Sequence, residues 1–316
     1  MTRADAPSAP AAIVIGLCTF RRASVSGTLD SLARLAPLPD ARIIVADNDD
    51  VPGARDRVAA TAAGHPLPVT YLHAPARNIS VARNAVLDAA RASGARFLAW
   101  IDDDETAEPG WLAALVSRQA ETGAAAVLGP VHAVYGADAP GWMRAGRVHD
   151  TLPVPGAGGR MLYGYTSNAL VDLAHPALAG LRFDPARGRT GGEDTAFFQA
   201  VTSAGGEIGF APGAVVAETV PPERASLGWL LRRRFRIGQT HASLFAPKAG
   251  LARRAAAAGL SAAKVAACLG TATLRAADPL GRNRALIRGA LHLGALAELA
   301  GIGRIEPYGR SGGAGA

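Results

Sequence analysis

The sequence predicts an α/β fold with a mostly parallel central sheet, and three observations carry it. Short apolar runs alternate with segments of helical period through the first 120 residues. The runs are apolar throughout and rich in β-branched residues, as strands covered on both faces require. Those after which the chain turns polar end in dense clusters of charge, and open parallel sheets bind ligands at the carboxyl ends of their strands.

The elements follow in order. Ala12–Leu17 (AIVIGL) is the first buried strand, and Thr19-Phe20-Arg21-Arg22 leads from it into a helix through Leu29, Leu32 and Leu35 that Pro37 and Pro39 close. Arg42–Ala46 (RIIVA) is the second strand and ends in Asp47-Asn48-Asp49-Asp50; Val69–Leu72 is the third. Asn78-Ile79-Ser80 starts a helix with Val81, Ala82, Ala85, Val86 and Ala89 on one stripe, and Gly94 stops it. Arg96–Ile101 (RFLAWI) is the fourth strand and runs into Asp102-Asp103-Asp104-Glu105. Pro109 suits the first turn of a helix carrying Trp111, Leu112, Leu115 and Val116. From Val127 to about Gly164 the pattern is irregular and rich in Gly and Pro. Gly191-Gly192-Glu193-Asp194 opens a helix, Thr195 to about Ser203, that Gly205-Gly206 ends. Beyond Pro221-Pro222 come basic, alanine-rich helical segments at 226–246, 250–277 and 282–300. The expected organisation is a disordered 1–11, a catalytic domain over 12–223, a helical extension over 224–302 and a flexible tail over 303–316.

Charge is divided unevenly. Residues 1–223 carry 18 Lys+Arg against 23 Asp+Glu, and residues 224–316 carry 15 against 3, which together make the net +7. The basic C-terminal third asks for an anionic partner, lipid headgroups or nucleic acid. Aromatics at 5% leave few stacking surfaces for single strands, and no helix-turn-helix or zinc spacing is present, so nucleic acid is not the expected partner. Cys18 and Cys268 form no CxxC pair, which fits a reducing cytoplasm. No secretory signal opens the chain, and the longest unbroken apolar stretch, Val265–Leu274, is half of what a spanning helix needs. The expectation is a protein that lies on a membrane without crossing it.

Five constellations carry chemistry. Asp102-Asp103-Asp104 packs three carboxylates at a strand end, a costly arrangement unless a cation or hydrogen bonds compensate. Mg2+ or Mn2+ shared with a diphosphate suits it; the plainer alternative is a solvated acidic turn. Asp47 repeats the theme, either as a helix cap or as an acceptor for the imide N–H of uracil. Arg77, Asn78, Arg83 and Asn84 straddle a helix start, where an arginine can pair with a diphosphate. Asp194, beside Glu193 and after the bend at Gly192, lands at a helix entrance, either as a helix cap or as a general base for an acceptor hydroxyl. In Arg232-Arg233-Arg234-Phe235-Arg236, one or two arginines can reach a diphosphate leaving group while the others face solvent or lipid.

In this order the motifs resemble the family 2 glycosyltransferases, and within them the bacterial succinoglycan-biosynthesis type of β-glycosyltransferase. The matching stretches are Cys18–Arg22, Val45–Asp49, Asn78–Asn84, Ile101–Glu105, Thr166-Ser167-Asn168, Gly191–Asp194 and Trp229–Gly238. The resemblance implies the GT-A fold, a divalent metal, and inversion at the anomeric carbon. It places Thr19, Arg21 and Asp47 on the nucleoside, with Arg77 or Arg83 and Asn78 nearby. Asp102 and Asp103 would serve the ribose and diphosphate, with Asp104, and Asp102 beside it, at the metal; Arg233 and Arg236 would face the leaving group. Asp194 would be the base, with Asn168, Gly192 and Glu193 on the acceptor side. Processive members often carry a Gln/Arg-x-x-Arg-Trp motif; here Arg233-x-x-Arg236 is followed by Ile237, which favours single additions. The implied donor is a UDP-hexose, UDP-glucose first, and the implied acceptor a glycan or a lipid-linked glycan of surface polysaccharide, met at the cytoplasmic face of the membrane. The helix at 282–300, with Leu286, Leu293 and Ala297 on a stripe and Arg284 and Arg288 off it, is the expected membrane-facing element. A metal-dependent nucleotidyltransferase or phosphatase would want a Gly-rich loop or an Asp after the first strand, where this chain has Cys18 and Thr19.

Overall fold

The computed structural model describes residues 12–156, 159–246 and 250–305. The segment expected at 1–11 and residues 306–316 of the expected tail lie outside the described residues. In chain order the strands are β1 (Ile13–Thr19), β2 (Ala41–Asp47), β3 (Val69–His73), β4 (Phe97–Ile101), β5 (Glu105–Ala107), β6 (Ala126–Leu128), β7 (Val131–Tyr135), β8 (Asn168–Asp172), β9 (Ile208–Phe210) and β10 (Val216–Val220). The helices are α1 (Val25–Leu32), α2 (Arg55–Ala62), α3 (Ile79–Ala92), α4 (Trp111–Thr122), α5 (Gly141–Gly146), α6 (Glu193–Ser203), α7 (Leu227–Phe245), α8 (Leu251–Leu274) and α9 (Pro279–Leu299).

The main sheet has the order β3-β2-β1-β4-β8-β6-β9. It is parallel except for β8, which runs against both β4 and β6. Residue alternation along β1 explains the two core layers. Ile13, Ile15 and Leu17 face a layer with Val25, Leu29, Trp111 and Leu115. Val14 faces the other, with Val86, Leu98, Trp100, Phe183 and Phe197. In-register pairing sets Thr19, at the end of β1, beside Asp47, at the end of β2. The carboxyl end of β4 lies on the other side of β1, so the two polar clusters flank one strand.

Three features depart from expectation. The stretch 127–164 is not irregular throughout: it holds most of β6 and all of β7 and α5, and β7 joins a second sheet, β5-β10-β7, that covers the carboxyl end of β4. The helix that ends at Ser203 begins at Glu193, so Asp194 lies in its first turn. Third, α8 is long and apolar enough by composition to cross a membrane, whereas only Val265–Leu274 was expected to be notable; interspersed alanines carry the apolar character past Lys264.

The C-terminal helices pack with α9 against both α7 and α8. The α7–α9 crossing depends on two glycines. A Cβ on Gly238 would lie 1.9 Å from the Leu291 carbonyl oxygen, and one on Gly294 would lie 1.8 Å from that of Phe235. Backbones that close admit no side chain. Gly238→Ala is therefore expected to destabilise by about 1–3 kcal/mol through overpacking, read as a lower urea midpoint. The control Gly259→Ala, on α8 with nothing within 4 Å of the new Cβ, is expected to be neutral or slightly stabilising.

Candidate active site

After β2 the chain folds into an acidic turn over a polar cavity of about 250 Å³ lined by Arg21, Asp47, Asp49, Gly53, Ala54 and Arg57. Asp47 is buried and shapes the turn. Its Oδ1 accepts from the Asp49 amide at 3.1 Å, and its Oδ2 from the Ala54 amide at 3.0 Å and the Tyr71 hydroxyl at 2.8 Å. Arg21 grips Asp49 with two parallel bonds, Nε at 2.8 Å and Nη2 at 2.9 Å, and holds that carboxyl below its ordinary pKa. Arg77 pairs with Asp50 on the same turn. Arg21 and Arg77 both have left-handed backbones, φ 55° and 44°. Non-glycine residues held so concentrate at ligand clamps.

After β4, Asp102, Asp103 and Asp104 point to different partners. Asp103 turns inward: Thr19 Oγ1 donates to it at 2.6 Å and Arg22 Nη1 at 3.0 Å. Asp104 receives Arg22 Nη1 at 2.6 Å and lies 3.7 Å from Arg224 Nη1. Asp102 is pushed up to about 7 by burial; Arg83 opposes the rise, while Asp104, Asp103 and Glu218 add to it. Facing the turn from the second sheet is Glu218 of β10, paired with Arg224 at 2.8 Å. Its pKa is raised by burial and by Asp104, and lowered by Arg233 and Arg224. Arg233 stands over the Trp229 ring at 5.1 Å, with Arg236 in its electrostatic field. Arg22, Arg224 and, from α7, Arg233 thus form a wall of arginines around the acidic turn and Glu218.

The third part is α6. Its N-cap, Gly192, has φ 86°, and a Cβ there would meet Thr240 of α7 at 2.2 Å, so only glycine fits beneath that helix. Glu193 points inward and pairs with Arg83 of α3, both buried. Burial pushes Glu193 up and Arg83 pulls it back. Asp194 points the other way and is part-exposed; its Oδ1 accepts from the Thr195 amide at 2.6 Å. Arg83 feels Glu193, Asp102, Asp194 and Cys18 together, so the first turn of α6 lies within electrostatic range of the ends of β1 and β4.

Several expected site residues have other work. Thr19 is buried and spends its hydroxyl on Asp103 instead of a nucleoside. Arg83 and Glu193 pair with each other inside the fold, and Oε2 of Glu193 is left buried without a hydrogen-bond partner. Asn168 is fully buried: it accepts from Trp111 Nε1 at 2.8 Å and donates to the carbonyls of Pro130 and Ala214 at 2.9 and 2.7 Å. It braces β8 within the core and does not face an acceptor. Asn78 caps α3 and donates to the Pro185 carbonyl at 2.9 Å, tying that helix to the segment before α6. Gly192 serves the packing of α7. Asp103 braces the turn from inside through Thr19 and Arg22. Arg21, Asp47 and Arg77 gather at the first turn; Asp102, Asp104 and Arg233 gather at the second, and Arg236 enters only through its field on Arg233.

Sequence reasoning passed over Arg22, Arg224 and Glu218. Arg22 was visible beside Arg21. The other two carried no signal, because their place depends on β10 pairing with β5 in a sheet that no periodicity announced. The expected membrane-facing helix also changes. α9 is the inner helix, with Ala285, Ile287 and Ala297 buried and Arg284 bound to the Gly146 carbonyl at 2.9 Å. The exposed one is α8.

Residues 14–186 match the family model described as Glycosyl transferase family 2. The chain is 48% identical over 299 residues to the succinoglycan biosynthesis protein ExoM of Rhizobium meliloti (strain 1021), covering 94% of this chain and 96% of that protein. Among solved structures it resembles the mannosyltransferase PcManGT from Pyrobaculum calidifontis in complex with GDP-Man and Mn2+, with TM-score 0.62, 19% identity, and 91% and 87% of the two chains covered. It also resembles residues 1–349 of S. aureus TarS in complex with UDP-GlcNAc, with TM-score 0.52, 16% identity, and 95% and 99% covered. The chain belongs to the family 2 glycosyltransferases, is an enzyme of that class and has the GT-A-like fold.

The Arg83–Glu193 pair yields a direct test. Breaking one partner of a buried pair leaves an uncompensated charge and costs about 3–5 kcal/mol. Arg83→Met is expected to lower unfolding stability by that order in urea titrations. Arg83→Met with Glu193→Met together is expected to recover at least half of the loss.

Proposed function

We propose that this family 2 glycosyltransferase moves a hexose from a UDP-linked donor, UDP-glucose first, onto a glycan or lipid-linked acceptor in exopolysaccharide biosynthesis, with inversion at the anomeric carbon. The observation that carries the reading is the pairing of two strand-end turns across β1. One surrounds a polar recess lined by Arg21, Asp47 and Asp49, and the other presents Asp102 and Asp104 to a wall of arginines. A nucleoside in the first reaches a diphosphate in the second. The succinoglycan role printed for the 48% identical relative supports the polysaccharide assignment. The donors held by the two structural neighbours differ, so the uridine assignment rests on Asp47, whose carboxylate lines the recess and, with three donors already on it, keeps one acceptor position for an imide N–H.

A divalent ion, Mg2+ or Mn2+, fits the second turn. Among the described residues no three His, Cys, Asp or Glu side chains are grouped to hold an ion unaided. GT-A chemistry needs fewer, because one or two carboxylates share the ion with the diphosphate. Burial raises Asp102 first and the neighbouring Asp104 and Asp103 add to the rise, so three carboxylates share one strand-end turn. Asp104 and Asp102 would hold the ion, which when bound neutralises charge on the departing diphosphate.

The rest falls to the chain's own groups. Arg233, Arg236 and Arg224 take up charge developing on the leaving group, with more effect for being partly withdrawn from water. Asp194 has one oxygen fixed by its own helix and receives the acceptor's proton as the hydroxyl attacks. The resulting bond lies on the face opposite the diphosphate.

The basic helical region supports a location on an anionic membrane at the cytoplasmic face. Only 6% of the apolar window of α8 is buried, and Leu251, Leu260, Leu269 and Leu274 are exposed. Lys264 at mid-helix favours a helix lying in the interface over one that spans.

Two experiments test the reading. Nucleotide release from UDP-, GDP- and dTDP-sugars is expected for one UDP-hexose with Mn2+, to stop with EDTA, and to fall about 10²-fold or more in Asp104→Asn. If no sugar nucleotide raises the melting temperature with metal present, the donor assignment is wrong. In the second, the protein is expected to sediment with phosphatidylglycerol vesicles and not with phosphatidylcholine vesicles. Binding is expected to weaken at high salt and to be lost in Leu260→Asp with Leu274→Asp, with donor hydrolysis retained.

A further inference from the structure

The carboxylate best placed for the ion already holds two cations. Arg22 Nη1 sits 2.6 Å from Asp104 Oδ2 and Arg224 Nη1 3.7 Å from the same oxygen, while Arg224 also binds Glu218 at 2.8 Å. The two arginines come from opposite ends of the domain and meet only here. We propose that they form a latch on Asp104, occupying the ion's position in the donor-free enzyme, and that the donor's diphosphate opens the latch by drawing both guanidiniums onto itself. This rests on the sugar-nucleotide reading of the site.

The surroundings show which parts are fixed and which can move. The backbone of Arg224 is pinned: its carbonyl oxygen lies 3.1 Å from His149 Nε2, and His149 Nδ1 lies 3.0 Å from the Tyr135 hydroxyl. His149 stacks on Trp229 at 5.6 Å and 28°, and the Arg224 guanidinium lies 5.7 Å over the same ring. The head is less satisfied, since Arg224 Nε is buried without a hydrogen-bond partner. A buried N–H left unpaired costs free energy that an incoming anion recovers. The Arg22 side chain is one-third exposed and is shared between Asp103 and Asp104.

Charge balance gives the consequence. Asp103, Asp104 and Glu218 bring three negative charges against the two positive charges of Arg22 and Arg224. A divalent ion entering alone must displace both guanidiniums from Asp104, Arg22 falling back on Asp103 and Arg224 on Glu218, where Arg233 already acts. A diphosphate that draws the same guanidiniums off Asp104 removes that competition. The ion and the nucleotide therefore bind with positive coupling, and by linkage each raises the affinity of the other by the same factor.

The test uses the full chain, with Mn2+ binding followed by loss of the free-ion paramagnetic resonance signal and UDP binding followed by calorimetry. In wild type, saturating UDP is expected to tighten Mn2+ about tenfold or more, and Mn2+ to tighten UDP equally. Arg22→Gln removes half of the latch at an accessible position. It is expected to tighten Mn2+ several-fold without nucleotide while weakening UDP, a change of opposite sign that general damage to the site would not produce. Arg224→Gln is expected to act alike, its folding checked by circular dichroism. If wild type binds nucleotide but Mn2+ binding without nucleotide is unchanged or weaker in Arg22→Gln, the latch is wrong and the donor site stands. If wild type binds neither UDP nor GDP with Mn2+ present, the donor reading falls and the latch with it.

Discussion

Arg83 is the group on which the rest of the site depends. Its guanidinium is buried against Glu193 and lies in the combined field of Asp102, Asp194 and Cys18, so one side chain of α3 refers the end of β1, the end of β4 and the start of α6 to a common point. A buried ion pair returns little net stability, because desolvating both charges offsets most of their attraction. Its consequence here is positional. With Glu193 held inward, the next residue on the helix points away, and Asp194 is part-exposed. Neutral contacts reinforce the clip: Asn84 exchanges two bonds with the backbone of Phe183, each 2.9 Å, and Ser80 donates to the Asp184 carbonyl at 2.8 Å. Phe183 stacks on Phe197 of α6 at 4.3 Å.

Around that point the chain assembles opposed charges from segments distant in sequence. The parallel strands deliver two acidic turns to one edge, as open α/β sheets do. The second sheet then brings Glu218 over the edge and hands the chain to α7, which carries the arginines. The helical C-terminal region is therefore part of the site as well as an appendage to it. The same α7 that presents Arg233 also packs Thr240 over Gly192 and Ser243 beside Arg187, at 3.2 Å. One rigid helix thus spans the distance from the leaving-group wall to the proposed base.

Much of this was legible in the residues. The runs AIVIGL, RIIVA and RFLAWI needed no context to be read as buried strands, and the charge clusters that end them marked the ligand edge. The start of α6 was legible to within two residues from its glycines. Other parts had no local signal. β6, β9 and β5 are three residues each, too short to show a period, and α2 is mostly Ala and charge with Val58 its one buried residue. β8 (NALVD) reads as apolar, but nothing in it announces an antiparallel direction. The site residues divide in the same way. Motif position identified which side chains gather, but not which of them face inward: Thr19, Arg83, Glu193 and Asn168 all belong to the right stretches and are consumed in holding those stretches together. Burial of the neighbours decides that, and burial is a property of the assembled fold.

The measurement closest to the central claim is a crystal structure of the enzyme soaked with Mn2+ and a non-hydrolysable donor analogue, with anomalous data collected for manganese. The account predicts an anomalous peak in bonding contact with Asp104, the base in the recess beside Arg21 and Asp47, Arg224 turned from Glu218 toward the diphosphate, and the anomeric carbon presenting its far face to Asp194. A manganese peak away from the Asp102–Asp104 turn, or a sugar whose far face meets another residue, would contradict it.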